Sequence, residues 1–166
     1  LGEWYLCIPV VVDMPHALGD ESQVPSRLSR RVCSLDPGVR TFQTLYDADG
    51  ALVEVGAGDL ARLYRLCHAA DALMHRRSTA HGKRRYRMQC AYLRIFERIR
   101  RLVHEVHCKL VCFLVRNYAV VLLPSFDTSR MVVRGQRKLR SKTARAMLTW
   151  SHYGFKQRLL NKAYAS

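Results

Sequence analysis

From Thr128 to the carboxyl end the chain holds no Asp and no Glu, while Arg130, Arg134, Arg137, Lys138, Arg140, Lys142, Arg145, Lys156, Arg158 and Lys162 fall in that stretch. Acids are scarce throughout: 13 Asp and Glu stand against 28 Lys and Arg, for a formal net charge of +15. Such an imbalance points to a polyanionic partner, nucleic acid first and acidic membrane second. The plainer alternative is a very soluble protein with a solvated basic face. Membrane insertion fails on a second absence, that of a long apolar run. The best candidate, Leu110 to Phe126, is interrupted by Arg116 and Asn117 and ended by Pro124, below the length needed to span.

Also missing is any CxxC pair among the six cysteines (Cys7, Cys33, Cys67, Cys90, Cys108, Cys112). That excludes a zinc ribbon within these residues. Without framework spacing or a leader the thiols read as reduced and mostly buried, as in an intracellular protein. His104, Cys108 and Cys112 recur every four residues, but on a helix the three span about 12 Å, too far to converge on one zinc with bonds near 2 Å. No phosphate-binding glycine loop or dinucleotide fingerprint occurs, since Gly56-Ala57-Gly58 lacks the rest of the pattern. No strand-turn-helix nucleophile elbow is present. An actin-like ATPase would need a second glycine-rich phosphate hairpin, which the sequence does not offer.

What is present reads as one domain over 166 residues, with an apolar fraction ordinary for a folded protein. The chain opens without Met and close to a strand-like run, which points to a piece of a larger protein. Residues 1–56 read as strands and a hairpin. Trp4–Val12 is a strand with an edge or bulge at Pro9, Asp13–Arg30 a loop, and Val32–Leu35 a short strand that delivers Asp36. After Pro37-Gly38 an alternating strand (Thr41–Tyr46) turns at Asp49-Gly50 into Ala51–Val55. Residues 59–117 read as an antiparallel helical hairpin. Leu63, Cys67, Ala70 and Met74 define a first helix that Asp59 could cap, and Ser78–Lys83 is the turn. A second helix from about Arg84 to Arg116 carries the seven-residue seam Tyr92, Phe96, Ile99, Val103, Val106, Leu110, Phe113, with Asn117 as its C-cap. Its outer face projects Arg84, Arg85, Arg87, Arg94, Arg98 and Arg101.

Residues 118–166 read as a central strand (Tyr118–Leu123) buried on both faces, a basic loop around Arg134–Arg137, and one helix from Ser141 to Tyr164. The order implies a mixed sheet flanked by helices, with the site outside the strand ends.

Asp36, on a strand end opened by Pro-Gly, is the best candidate for an acid presented to Mg²⁺, which takes oxygen ligands and in pairs catalyses in-line displacement at phosphorus. Asp127 is the second candidate, at the end of a strand expected to neighbour Asp36. Its other reading is a turn acid bonded to its own backbone. Glu54, Asp59, Asp47 and Asp49 read as hairpin, cap and turn residues. Trp150, His152, Tyr153 and Phe155 could stack on bases, but core packing is the better reading. His81 could touch phosphate and is otherwise an ordinary turn residue.

Leu35-Asp36-Pro37-Gly38-Val39-Arg40-Thr41-Phe42 with Tyr46–Gly50 resembles the first RuvC motif of the transposon-encoded RNA-guided nucleases called TnpB. Leu122–Val132, Arg140–Trp150 and the closing Phe155, Leu159 and Lys162-Ala163 resemble the eukaryotic and viral Fanzor branch more closely. The resemblance runs from about Trp4 to the end. It implies a ribonuclease-H-like (RuvC) α/β fold with an inserted helical hairpin, cutting DNA opposite a guide RNA. It further implies Mg²⁺ or Mn²⁺ at Asp36 and Asp127, no zinc in this segment, guide RNA and target DNA as partners, and neither membrane nor small-molecule substrate. It implies an intracellular setting, the nucleus for a eukaryotic or nuclear-virus source and the cytoplasm otherwise. Arg40, Arg84, Arg85, Arg87, Arg134, Arg137, Lys138, Arg140, Lys142 and Arg145 would meet the nucleic acid. Two departures stand out. Pro124 occupies the place of the bacterial branch's Glu, with Asp127 where Fanzor relatives carry an acid. The family's third acid lies beyond a zinc ribbon, and no carboxylate follows Asp127 here, so the segment is expected to be incomplete and inactive alone. A basic, non-catalytic nucleic-acid-binding module is the alternative.

Overall fold

The computed structural model describes residues 31–133 and 139–165; the expected strand Trp4–Val12, the loop after it, and Arg134, Arg137 and Lys138 lie outside the described residues. Strand β1 (Val32–Pro37) alternates as its sequence demands, with Cys33, Leu35 and Pro37 buried and Asp36 exposed. It pairs antiparallel with β2 (Gln43–Asp47), Leu35 opposite Leu45 and Asp36 opposite Thr44. β2 turns back into β3 (Leu52–Val55). The turn closes with Gly50 N–H donating to the Asp47 carbonyl at 2.9 Å, and Gly50 takes the left-handed φ of 92° that glycine tolerates. β4 (Val120–Leu122) lies parallel to β1 on its other side, giving the order β3-β2-β1-β4.

Helix α1 (Asp59–Ser78) and helix α2 (Gly82–Asn117) form the expected hairpin. Asp59 lies in the first turn of α1 rather than capping it; Gly58 holds the cap position without a side-chain bond. The two helices are unequal: 20 residues make about 30 Å and 36 make about 54 Å. The seven-residue seam therefore does not stay buried throughout. Ile99, Val103 and Leu110 are in the core, whereas Phe96 and Phe113 are largely exposed and His107, Val111 and Leu114 are buried instead. A straight helix drifts off a strict seven-residue repeat, and beyond the reach of α1 the buried face is chosen by the sheet and the last helix.

A four-residue helix, α3 (Thr128–Met131), follows β4. The single helix expected over 141–164 is two: α4 (Ser141–Trp150) and α5 (His152–Tyr164). They meet at Ser151, whose φ of 50° is the sole positive value among described non-glycine residues. The Trp150 carbonyl, which a continuous helix would offer to Gly154, accepts instead from His107 Nε2 at 2.8 Å. Aromatic groups fill the space between sheet and helices. Phe42 stacks near His107 (ring centroids 4.9 Å apart), Trp150 (5.1 Å) and Phe155 (5.2 Å, edge-on).

β4 corrects a further expectation. It spans three residues rather than six, and Val120 and Leu122 are 47% and 55% exposed, so the strand is not buried on both faces. Among the described residues β1 alone pairs with it, and it forms the sheet's edge.

Candidate functional site at the carboxyl ends of the strands

Asp36 is the penultimate residue of β1 and faces away from the helices. Among the described residues its carboxylate has no hydrogen bond and no ion pair. Pro37 ends the strand, and a tight bend follows in which Gly38 N–H donates to the Phe42 carbonyl at 3.2 Å. A Cβ at Gly38 would strike the Thr41 carbonyl oxygen, so the bend that leaves Asp36 open needs glycine. The result is an acid at the end of β1 with both oxygens unengaged among the described residues.

The parallel pairing of Ser34 with Leu122 directs the carboxyl ends of β1 and β4 the same way. Asp127 therefore arrives at the same end of the sheet and lines a cavity of about 370 Å³ with Pro37 and Gln43. Its carboxylate is already engaged. Oδ1 accepts from Ser129 N–H at 3.1 Å, from the Ser129 hydroxyl, and from Arg130 N–H at 3.4 Å, capping α3. Oδ2 faces Arg130 Nε at 3.2 Å. The Ser129 hydroxyl first, then the Arg130 amide and guanidinium, hold its carboxyl below the usual range. The turn-acid arrangement foreseen for Asp127 is thus present. Pro37, not Asp36, lines the cavity that Asp127 shares.

Among the described residues no group of three or more His, Cys, Asp or Glu could hold a metal ion. Among the described residues Asp36 and, two strands away across Thr44, the exposed Glu54 offer unengaged carboxylates on this face, and two magnesium ions need several carboxylates between them. The residues described do not by themselves fit a two-metal centre. His104 and Cys108 touch, with Sγ 3.7 Å from either ring nitrogen, and stop at that pair.

The cations divide into free and engaged. Arg40, Arg84, Arg85 and Arg87 are exposed and have no ion pair among the described residues. Arg140 is exposed immediately before α4. Arg145 instead forks onto Asp71, one arm at 2.7 Å, tying α4 to α1. Lys142 lies 5.1 Å from the Tyr64 ring centre, and its carbonyl accepts from the Tyr64 hydroxyl. Arg84–Arg87 begin α2, about 30 Å along the helix axis from His107, which packs under the sheet.

Asp47 and Gln43 are buried polar residues that the sequence reading did not single out. Asp47, 2% exposed, accepts from Arg31 Nη2 and from the Tyr118 hydroxyl, each at 2.9 Å, and from Asp49 N–H at 3.1 Å. The Asp49 amide first, then Tyr118 and Arg31, keep its carboxyl low, while burial beside it pushes Tyr118 up to about 12. This knot joins the start of β1, the end of β2 and the approach to β4; its turn-like sequence context gave no sign of it. Gln43 and His152 are buried, and among the described residues no partner meets either side chain at good hydrogen-bond geometry, the Gly38 backbone lying close to His152. Burial pushes His152 down to about 4, opposed by the nearby Gly38 backbone. His152, Trp150 and Phe155 are core residues as expected, whereas Tyr153 is exposed.

The sheet order, the parallel β1–β4 pair and the helices packed on one face fit a ribonuclease-H-like α/β core. No protein-family model matches the chain. A candidate transposase of Paramecium bursaria Chlorella virus 1 is 25% identical over 172 residues, covering 97% of this chain and 34% of that protein. Another, from Acanthamoeba polyphaga mimivirus, is 27% identical over 103 residues, covering 59% of this chain and 21% of its own length. A TnpB-like protein of the same virus is 21% identical over 136 residues, covering 80% of this chain and 26% of its own length. The chain is related to the TnpB-like transposase family. It spans about a third of the length of the first relative and less of the others. No described helix is long and apolar enough to cross a membrane.

Proposed function

We propose that the chain is the core segment of a transposon-encoded, RNA-guided DNA endonuclease of the TnpB/Fanzor type. The observation that carries this reading is Asp36: an exposed carboxylate, unpartnered among the described residues, on the strand beside a parallel neighbour, in a chain with a +15 charge and TnpB-like relatives. In the whole protein Asp36 would be one oxygen ligand of Mg²⁺ or Mn²⁺, which supplies charge neutralisation at phosphorus and an activated water. Asp127 would join it only by giving up Arg130. The remaining acids would come from outside these residues, so the segment alone cleaves little or no DNA. Arg40, Arg84, Arg85, Arg87 and Arg140 would hold backbone phosphates of guide RNA and target DNA, while base pairing reads the sequence.

A second reading, a non-catalytic nucleic-acid-binding module, is favoured by the engagement of Asp127 with Ser129 and Arg130. One experiment separates the two from each other and from neither. Oligonucleotide affinity is measured against salt, with and without Mg²⁺, alongside cleavage. Both readings expect affinity to fall at least about tenfold between 50 and 200 mM salt as counterions are released. The nuclease reading adds a Mg²⁺-dependent gain in affinity that Asp36→Ala removes; the binding-module reading expects no such gain. Affinity indifferent to salt would refute both, and a Mg²⁺-dependent cut by this chain alone would refute its incompleteness.

A further inference from the structure

The bend that follows Asp36 carries Arg40, which is exposed and has no ion pair among the described residues. An arginine side chain is long and mobile, so the backbone beneath it decides where it can reach. Residues 38–42 belong to no strand or helix. The Gly38 amide closes the bend on the Phe42 carbonyl at 3.2 Å. Its middle is held from far along the chain: Trp150 Nε1 donates to the Val39 carbonyl at 2.9 Å. That carbonyl belongs to the peptide plane that continues into Arg40. Because the plane is rigid, the bond fixes the Arg40 nitrogen and Cα as well.

Trp150 is itself placed by a break in the helix. α4 ends on it, α5 begins at His152, and Ser151 between them has φ of 50°. A residue with a Cβ adopts that left-handed conformation only at a cost. His107 Nε2 takes the Trp150 carbonyl at 2.8 Å, and the indole is fully buried, 5.1 Å from the Phe42 ring centre. Gly154 leaves room for the break, since a Cβ there would lie 2.8 Å from Ser151 Oγ. The residues on either side of Ser151 both reach the bend, Trp150 at Val39 and His152 beside the Gly38 backbone. Backbone strain of this kind persists where the surroundings impose it, and it clusters at functional sites. Buried indoles usually find an acceptor for their N–H; here the acceptor lies between an exposed acid and an exposed arginine. We infer that Trp150 is a positioning residue, which aims Arg40 at a backbone phosphate of the strand bound at the Asp36 end of the sheet. The inference rests on the nucleic-acid reading above and deepens it, because it makes one phosphate contact depend on a buried side chain.

The test uses the 166-residue chain and a fluorescently labelled dodecamer of deoxythymidine, with affinity measured against salt. Each phosphate contact on a single strand contributes about 0.7 to the slope of log affinity against log salt. Arg40→Ala is expected to lower the slope by about that amount. Trp150→Phe should lower it equally, and the two together no further, since both act on the same contact. Arg84→Ala, in the first turn of α2, is the control: its own loss should be the same with and without Trp150→Phe, which a general loosening of the fold would not give. A thermal melt checks Trp150→Phe. Should that variant not fold, benzothienylalanine set at Trp150 alone decides, because it keeps the two-ring shape and lacks the N–H. A wild-type slope after removal of the N–H, or losses that add with Arg40→Ala, overturns the positioning role and leaves phosphate binding intact. A wild-type slope in Arg40→Ala overturns both the Arg40 contact and this inference. A wild type whose affinity ignores salt overturns the nucleic-acid reading along with it.

Discussion

Gly56→Ala tests how the aromatic core fixes the hairpin that flanks Asp36. Gly56 follows β3 with φ of 76°, and a Cβ there would stand 3.0 Å from Phe42 Cβ and 3.2 Å from Trp150 Cη2. Two costs are therefore expected. The left-handed backbone costs a residue with a Cβ about 1–2 kcal/mol, and overpacking against side chains that cannot yield costs about 1–3 kcal/mol. Phe42 and Trp150 cannot yield easily. Both are fully buried, and Trp150 Nε1 donates to the Val39 carbonyl at 2.9 Å. Gly58→Ala is the control, because Gly58 has φ of 82° but nothing within 4 Å of its Cβ position. Urea unfolding followed by tryptophan fluorescence should show Gly58→Ala losing about 1–2 kcal/mol and Gly56→Ala about 2–5 kcal/mol in total. Equal losses would refute the claimed contact between the end of β3 and the Phe42–Trp150 pair.

Other outcomes follow from the same geometry. Asp36→Ala should leave stability within about 0.5 kcal/mol of wild type by thermal melt, since no described residue depends on that carboxylate; a large loss would make it structural. Arg145→Ala should cost no more than about 1 kcal/mol, because its pair with Asp71 is half-exposed, and should leave oligonucleotide affinity nearly unchanged; a large drop in affinity would return Arg145 to the binding surface. His107 and His152 are both pushed down to about 4 by burial, below their ordinary value near 6.5. The unfolded chain then binds more protons between those values, so stability is full above pH 6.5 and falls as pH drops toward 4. The slope is about 1.4 kcal/mol per pH unit for each histidine. Denaturant midpoints against pH should show it, and His152→Phe should halve it; a flat profile between pH 4.5 and 6.5 would show that neither ring is held neutral by the fold.

The strand that bears Asp36, the hairpin after it and the two long helices were legible because each rests on local signals. Alternation of period two, a turn glycine and a helical stripe survive in almost any tertiary setting. Where partners at long range decide, the sequence was mute. The break at Ser151 depends on His107 taking the Trp150 carbonyl from 43 residues away. The exposure of Phe113 depends on which elements cover the far half of α2. Asp47 looked like a turn residue, and the Tyr118 hydroxyl and Arg31 that make it a buried knot arrive from opposite directions along the chain. For the site, Asp36 was legible from its Pro-Gly bend. Gln43 was not, since its place in an alternating strand says only that it points inward, and an amide pointing inward resembles any other core position until its missing partners are seen.

The proposed role of Asp36 as a ligand of a divalent cation is tested most directly by locating the bound ion. Manganese, added in substoichiometric amounts to the isotope-labelled chain with a bound oligonucleotide, broadens the NMR signals of amides nearest its ligands. Leu35, Gly38 and Thr44 should broaden first, and Asp36→Ala should abolish this. Broadening centred on Asp49, Glu54 or Asp127, or unchanged by Asp36→Ala, would contradict it.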